Sequence, residues 1–363
     1  MSSPAFVLAV AVFGVRSPGP VAPPTAREIV DRYVAARGGR ARIQAVRSIV
    51  LRAPGRFMAR ARPYYWMVGE PGPNRTYAEG NDGSPWEYLG DHGLVLRTTG
   101  APAAAARHTS YFDDALASSL EPGWQVELAG SEDIGGREAW RLRVTFPDGF
   151  QTDEFVDTRT FLRIGNRKVA PVHAFGAGTA TETRISDYRE VKGALFPMTF
   201  REFVIATGQP LDDMSGTWTS AEANVALPPG YFSPPPPGDT PLARMLNAAF
   251  AARAIPTDAL GWYRDFRSDP ATAGIDTAAG VEAVGYQCLK NEAVPAGVML
   301  LEANLRDHPA SPAAHFGLGR AYRAAGREAD AVAQFRRALE LDPGHQRAKE
   351  ALARAALPRV SPR

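Results

Sequence analysis

Between Pro229 and Pro237 five prolines fall within nine residues, in the stretch "LPPGYFSPPPPGDTP". Proline has a fixed φ and no amide hydrogen, so such a stretch belongs to neither a helix interior nor a central strand. It reads as a stiff polyproline linker, and the periodicity of the chain differs on its two sides. Upstream, from Ser48 to Tyr231, short alternating runs are bounded by Gly, Pro, Asp and Asn, the pattern of antiparallel strands joined by tight turns. Downstream of Pro241 the spacing is helical and the composition rich in Ala, Leu and Arg.

At least eight runs fit strands, among them "SIVLRAPGRF", "YYWMVG", "WEYLG" and "MTFREFVIA". In "EAWRLRVTF" the residues Trp140, Leu142, Val144 and Phe146 face one side, while Arg141, Arg143 and Thr145 face the other, so one face is apolar and one is wet. Ahead of the strands, "TAREIVDRYVAARGGRARIQAV" sets Ile29, Val30, Tyr33, Val34, Ile43 and Val46 at helical spacing, with Thr25 as cap and Gly38-Gly39 as stop. The insert Ala101 to Leu120 reads as one helix, with Phe112, Leu116 and Leu120 four residues apart, placed to close the mouth of a curved sheet.

A chain of 363 residues with 45% hydrophobic content can build two or three cores. Its net charge of +2 supplies no global field toward nucleic acid, and no nucleic-acid partner is expected. Locally the balance differs. From Arg32 to Gly69 stand Arg32, Arg37, Arg40, Arg42, Arg47, Arg52, Arg56, Arg60 and Arg62 without one Asp or Glu, which predicts an electropositive region. It reads first as solvated faces and second as a contact for anionic lipid headgroups or an acidic partner. A lone cysteine, Cys288, excludes an intramolecular disulfide and a Cys-based zinc cluster, and its apolar neighbours make it a small core residue.

The apolar run Ala5 to Val15 has the length of a signal-peptide core, so residues 1–24 are read as an export leader and the location as periplasm or cell envelope. No Lys or Arg precedes the run and no small-x-small cleavage site follows it; without a working leader the location is cytoplasmic. No other stretch is apolar for the ~18 residues a spanning helix needs, so no transmembrane helix is expected.

The stretch "FPDGFQTDEFVDTRTF" holds four carboxylates, Asp148, Asp153, Glu154 and Asp157. Asp148-Gly149 is a hairpin signal, and Asp157-Thr158-Arg159-Thr160 is the next turn. Asp153 and Asp157 share a strand face about 13 Å apart, beyond the ~5 to 9.5 Å of paired-carboxylate chemistry, and Glu154 points the other way. No His lies nearby to complete a metal site. His92 is in a turn and His108 in the helical insert, while His173 sits in a Pro/Gly-bounded loop and is the one histidine placed to meet a headgroup or to serve a hydrolase. Nucleophile-elbow, phosphate-loop and His-Glu-x-x-His signatures do not occur. No enzyme activity, metal or cofactor is expected.

The segment "SPAAHFGLGRAYRAAGREADAVAQFRRALELDPGH" carries Leu318, Gly319 and Tyr322 on a first helix, Ala331, Phe335 and Ala338 on a second, and Pro343 after it. These positions resemble the tetratricopeptide repeat. A weaker copy lies 34 residues upstream, with Gly285 in the place of Gly319 and Leu301 in that of Phe335. Helical segments from Leu242 to Phe266 and a capping helix from His345 to Leu357 would complete a stack. The resemblance implies an all-α repeat region that contacts an unidentified protein partner, or one that packs only on its own chain.

Two further stretches, "REIVDRYVAARGGRARIQAVRSIVLRAPG" and "AWRLRVTFPDGFQTDEFVDTRTFLR", together with "ISDYREVKGALFPMTF", are similar to the lipoprotein-localisation-factor (LolA-like) family. That resemblance, over roughly residues 26 to 205, implies a curved antiparallel half-barrel sheet with helices covering its concave side. With the proline linker at 233–241 and the repeat stack at 242–363, the chain is expected to be an α+β multidomain protein whose half-barrel domain covers residues 25–232. The resemblance also implies an apolar cavity for an acyl chain or lipoprotein-like ligand. Trp66, Trp86, Tyr88, Trp124, Trp140, Phe155 and Phe200 read first as core residues and, in a half-barrel, as the lining of that cavity, with His173 at its mouth. The rival readings are a scaffold whose half-barrel is filled by helices, and a hydrolase using His173.

Overall fold

The computed structural model describes residues 23–69, 76–170 and 179–355. The first helix, α1 (Ala26–Ala36), begins at Thr25, whose hydroxyl accepts the Glu28 amide while the Glu28 carboxylate accepts the Thr25 amide. This reciprocal cap satisfies two donors that the helix leaves unpaired. Gly38, at φ +109°, ends the helix and leads into α2 (Arg40–Ala45). A Cβ at Gly38 would run into the carbonyl of Gly193, so the turn after α1 lies directly on the turn between β11 (Thr179–Val191) and β12 (Ala194–Val204).

Two seven-stranded antiparallel sheets follow. The first holds β1 (Ser48–Ala53), β2 (Arg56–Ala61), β3 (Tyr65–Val68), β4 (Tyr77–Asn81), β5 (Pro85–Leu89) and β6 (Leu94–Arg97) in sequence, with β14 (Ser220–Ala223) on the far side of β1. The second runs β7 (Gln125–Asp133), β8 (Glu138–Thr145), β9 (Gln151–Asp157), β10 (Arg163–Ala170), β11, β12 and β13 (Gln209–Thr217). The chain passes from one sheet to the other at Trp218-Thr219. Trp218 donates its amide to Met198 of β12 and Thr219 donates to Arg52 of β1, both at 2.8 Å, so this corner sews the two sheets together.

One side of both sheets carries the N-terminal helices and is the inner side. Ile29, Val30 and Tyr33 of α1 and Leu116 of α4 (Ala115–Ser118) pack on Leu142, Val144 and Val156 of the second sheet. Ile43 and Val46 meet Ile49 and Leu51 of β1 and Ala194 and Met198 of β12, bridging the sheets. The insert is not the single helix its periodicity suggests. It breaks after α3 (Gly100–Ser110), which crosses β4 and β5, and resumes at Asp114, whose side chain accepts the Ala117 amide and caps α4. Phe112, between the two helices, enters the core beside Ile43 and Trp218.

The outer side of the first sheet is covered by the chain leading into the prolines. Val225, Leu227, Tyr231 and Phe232 lie over Val50, Phe57, Ala59, Met67, Ala78 and Trp86. Trp86 Nε1 donates to the Phe232 carbonyl at 2.8 Å, and beyond the prolines the Gly238 amide donates to Gly93 at 2.9 Å. The segment is a strap laid on the sheet. Trp86→Phe leaves that carbonyl buried and unpaired, and chemical denaturation is expected to show a loss of about 1–2 kcal/mol.

The helices α5 (Pro241–Ala251), α6 (Pro256–Ser268), α7 (Ala278–Lys290), α8 (Val294–Asp307), α9 (Pro312–Ala324), α10 (Glu328–Leu341) and α11 (Gln346–Ala355) stack in succession. Close helix approach needs a missing side chain, and the same device occurs twice. A Cβ on Gly319 would stand 2.5 Å from the Phe335 ring, and a Cβ on Gly285 would stand 2.5 Å from Leu301. The stack is not separate from the sheets: α5 to α8 share one core with Leu94 and Leu96 of β6. Asn247 of α5 accepts the Val95 amide at 3.0 Å and donates to Gly93 at 2.9 Å, which covers the edge strand. Among the described residues no helix is long and apolar enough to cross a membrane.

Candidate functional site

Strand register decides which side chains look inward. Leu51, Met58, Val68, Glu79, Glu87 and Leu96 form one row across β1 to β6, and Ile49, Arg60, Trp66 and Asn81 form the next. Directly opposed residues share a face, and Ile49 and Leu51 meet the α2 region, so both rows are on the inner side. Trp86 and Tyr88 flank Glu87 and therefore point outward, into the core beneath Phe232. In the second sheet Phe155 flanks Glu154 in the same way. Phe155 packs outward with Ile134, Ala139 and Ile164, under the Arg167 guanidinium at 4.9 Å.

Of the residues expected to surround one cavity, Trp86, Tyr88 and Phe155 are thus on the wrong faces. Trp140 joins the inner core with α1; Trp124 packs on Phe146 at 4.3 Å and Tyr111 at 5.6 Å; Phe200 lies 5.7 Å from Trp218. Trp66 shares its row with Arg60. His173 lies outside the described residues. The repeat residues take packing positions: Leu318 is buried beside Leu301, while Ala331, Phe335 and Ala338 are buried with Phe316. The Tyr322 hydroxyl donates to Glu302 at 3.0 Å, and Pro343 lies in the turn after α10.

Of the arginine-rich stretch, Arg37 is buried and Arg60 and Arg62 are partly so, while Arg32, Arg40, Arg42, Arg47 and Arg52 stay exposed. Arg37 pairs with Asp114, whose carboxylate also accepts the Tyr33 hydroxyl. Arg62 donates to Asp113 at 2.8 Å and to the Val46 carbonyl at 2.9 Å, and Arg40 pairs with Glu121 at 2.9 Å. Residues 113–121 supply counter-charges to these three arginines, and the exposed ones of the stretch are solvated, as the first reading has it. Burial would push the Asp114 carboxyl up, but Arg37 and Arg163 outweigh it and hold the group below the usual carboxylate range. Glu154 goes the other way. It accepts from Arg163 at 2.9 Å, yet burial dominates and raises it.

Arg60 is the exception in this group. Its Nη2 donates to the carbonyls of Thr109 and Tyr111, its Nε is buried without an acceptor, and among the described residues no carboxylate reaches ion-pair distance. Met58, Trp66 and Val68 beside it are half-buried, while α3 lies over the neighbouring β4 and β5.

A second charged group closes the far end of the row. Glu87 pairs with Lys290 of α7 and accepts Gln287 Nε2 at 3.1 Å, joining sheet to helices. Burial, with Glu87 adding, raises the neighbouring Glu79 carboxyl. A carboxyl raised in the folded state binds its proton more tightly there than in the unfolded chain, so stability is lost as pH rises through the folded value. Glu79→Gln removes that loss. Its melting temperature is expected to exceed wild type at pH 7 and to converge with it in acid, as followed by thermal denaturation across pH.

The acidic stretch has the roles its spacing suggests. The Asp148 side chain accepts the Phe150 amide in the β8–β9 turn; Asp153 pairs with Arg143; and Asp157 accepts the amides of Arg159 and Thr160. Sequence reading missed one contact. His108 Nε2 lies 2.7 Å from Asp148 and its ring stacks on Phe150 at 4.0 Å, tying α3 to the second sheet. Cys288 is in the core, where burial pushes its thiol up to about 12. Among the described residues no group of three or more His, Cys, Asp or Glu side chains could hold a metal ion. An open cleft of about 460 Å³ lies where β6 meets the helices, lined by Thr99, Arg253, Asn291 and Glu292 among others.

Residues 312–345 match the family model described as tetratricopeptide repeat. No curated protein matches the chain. Among solved structures, a DUF1329 family protein from Desulfovibrio piger is similar at 14% identity and a TM-score of 0.37, over 57% of this chain and 97% of that one. A LolA superfamily protein from Nitrosomonas europaea is similar at 15% identity and a TM-score of 0.36, over 58% and 99%. A putative outer membrane lipoprotein-sorting protein domain from Vibrio parahaemolyticus is similar at 12% identity and a TM-score of 0.36, over 51% and 86%. No residue role follows from likeness at this level.

Proposed function

We propose that this chain is a binding protein without catalytic chemistry: the inner side of its first sheet shelters an acyl chain or similar apolar ligand, and its helical stack contacts a partner protein. The observation that carries the first part is the row of Met58 and Val68 with Trp66 beside it, apolar side chains on the inner side that are only half-buried. Hydrocarbon laid there gains roughly 0.8 kcal/mol per buried methylene. A ligand of this kind would lie on the first sheet, since α1 and α4 fill the inner side of the second. That filling is also what favours the rival, a scaffold with no ligand. Delipidated full-length protein incubated with fatty acids and an acylated peptide, then weighed by native mass spectrometry, separates them: bound ligand is expected, and its absence supports the scaffold.

The partner contact belongs to α9 to α11, because α5 to α8 are engaged by β6. Crosslinking in the host is expected to place foreign peptides on that end; crosslinks within this chain alone refute it. The leader reading places the protein in the cell envelope, and an N-terminus found beyond Val15 in protein from its host supports it. A retained Met1 refutes it.

A further inference from the structure

We propose that the inner face of the first sheet holds an oxyanion site, built from Arg60 and Trp66, which takes the carboxylate or phosphate head of a single-chain amphiphile. The tail half of this statement rests on the apolar-ligand reading above; the anion half does not.

Arg60 and Trp66 are directly opposed residues of β2 and β3 and project to the same side. Arg60 Nε and Trp66 Nε1 are each buried with no acceptor in reach, and so is Arg163 Nε, which comes from the second sheet. Arg163 is close enough to Arg60 for each cation to feel the other. A buried N–H without a partner is costly, and an oxyanion accepting from Arg60 and Trp66 would satisfy two of them.

Charge pairing points the same way. Arg37 pairs with Asp114, Arg62 with Asp113 and Arg163 with Glu154, whereas Arg60 has two carbonyl oxygens only. One negative charge would complete the set. Burial pulls the Arg60 guanidinium down to about 10; Asp114 and Asp113 oppose that and Arg163 adds to it. The neighbouring register row sets the ligand's direction: Met58 and Val68 adjoin Arg60 and Trp66 and can carry a hydrocarbon tail, while Glu79 farther along repels an anionic head.

The test titrates delipidated full-length protein with palmitate, hexadecanol and inorganic phosphate, using wild type, Arg60→Met and Trp66→Phe. Wild type is expected to bind palmitate at least about tenfold tighter than hexadecanol, in line with a charge-assisted hydrogen-bond set. Arg60→Met should abolish that preference while still binding hexadecanol. Trp66→Phe, which keeps the ring and loses one donor, should weaken palmitate about threefold and leave the alcohol unchanged. Equal affinities in wild type, or a preference that survives in both variants, overturns the proposal. If neither chain compound binds but phosphate raises the melting temperature of wild type and not of Arg60→Met, the oxyanion site stands and the apolar-ligand reading fails. Binding of none of the three overturns the site itself.

Discussion

Phe335→Ala is expected to destabilise the C-terminal helices by about 3–5 kcal/mol, because a fully buried phenyl ring leaves a cavity its neighbours cannot close. The ring is 0% exposed, lies 5.7 Å from Phe316 and fills the notch left by Gly319 on α9. Around it Ala331, Ala338, Ala348 and Ala351 are small residues that cannot swing in to replace it. The loss should be local. Hydrogen exchange is expected to show α9, α10 and α11 opening in the variant while α5, α6 and the sheets keep their protection, since those share a different core with β6. Gly319→Val should do the same from the other side of the contact. Unchanged exchange in α9 to α11 for both variants would refute the packing described here.

Asp114→Ala is expected to cost about 3–5 kcal/mol, the usual consequence of leaving one member of a buried ion pair alone. Arg37 is 4% exposed, and without Asp114 its guanidinium keeps only the Tyr33 hydroxyl and the Leu195 carbonyl. The substitution also removes the cap of α4. The pH dependence has a definite sign. Asp114 is held below the usual carboxylate range when folded, so its contribution is present above about pH 4, the unfolded value, and is lost as pH falls through the folded one. Asp114→Asn, which retains the shape, should flatten the acid limb of the stability profile. If denaturation midpoints of wild type and Asp114→Asn fall in parallel from neutral to acid pH, the ion pair contributes nothing.

Much of the architecture was legible. Alternation marked the strands, and the spacing of Gly319, Tyr322 and Phe335 marked the paired helices, because both patterns reflect local geometry. The inner and outer sides were not legible. Alternation tells which residues share a face and not which face is which, and it misleads when both are covered. Here the strap of residues 225–232 buries Trp86, so the aromatic side of β5 is the outer one and Glu87 looks inward. Which arginines of the arginine-rich stretch are paired was not legible for a related reason. Its counter-charges Asp113, Asp114 and Glu121 are far along the chain, and only the folded topology brings them to Arg62, Arg37 and Arg40. The break in the helical insert did have a signal: Asp114 before Ala115-Leu116 is an N-cap in the middle of a helical pattern. Arg60 had none, since its isolation follows from where other chains of side groups end.

The pairing of β14 with β1, Ile49 opposite Ala223, bears on how this protein is made. β1, synthesised about 170 residues before β14, must wait with one flank bare until nearly the whole described β region has been made. Strand edges in that condition recruit other strands. Slow elongation or truncation before residue 220 should therefore yield aggregates, and holdase chaperones should be found on nascent chains that have not yet reached that length.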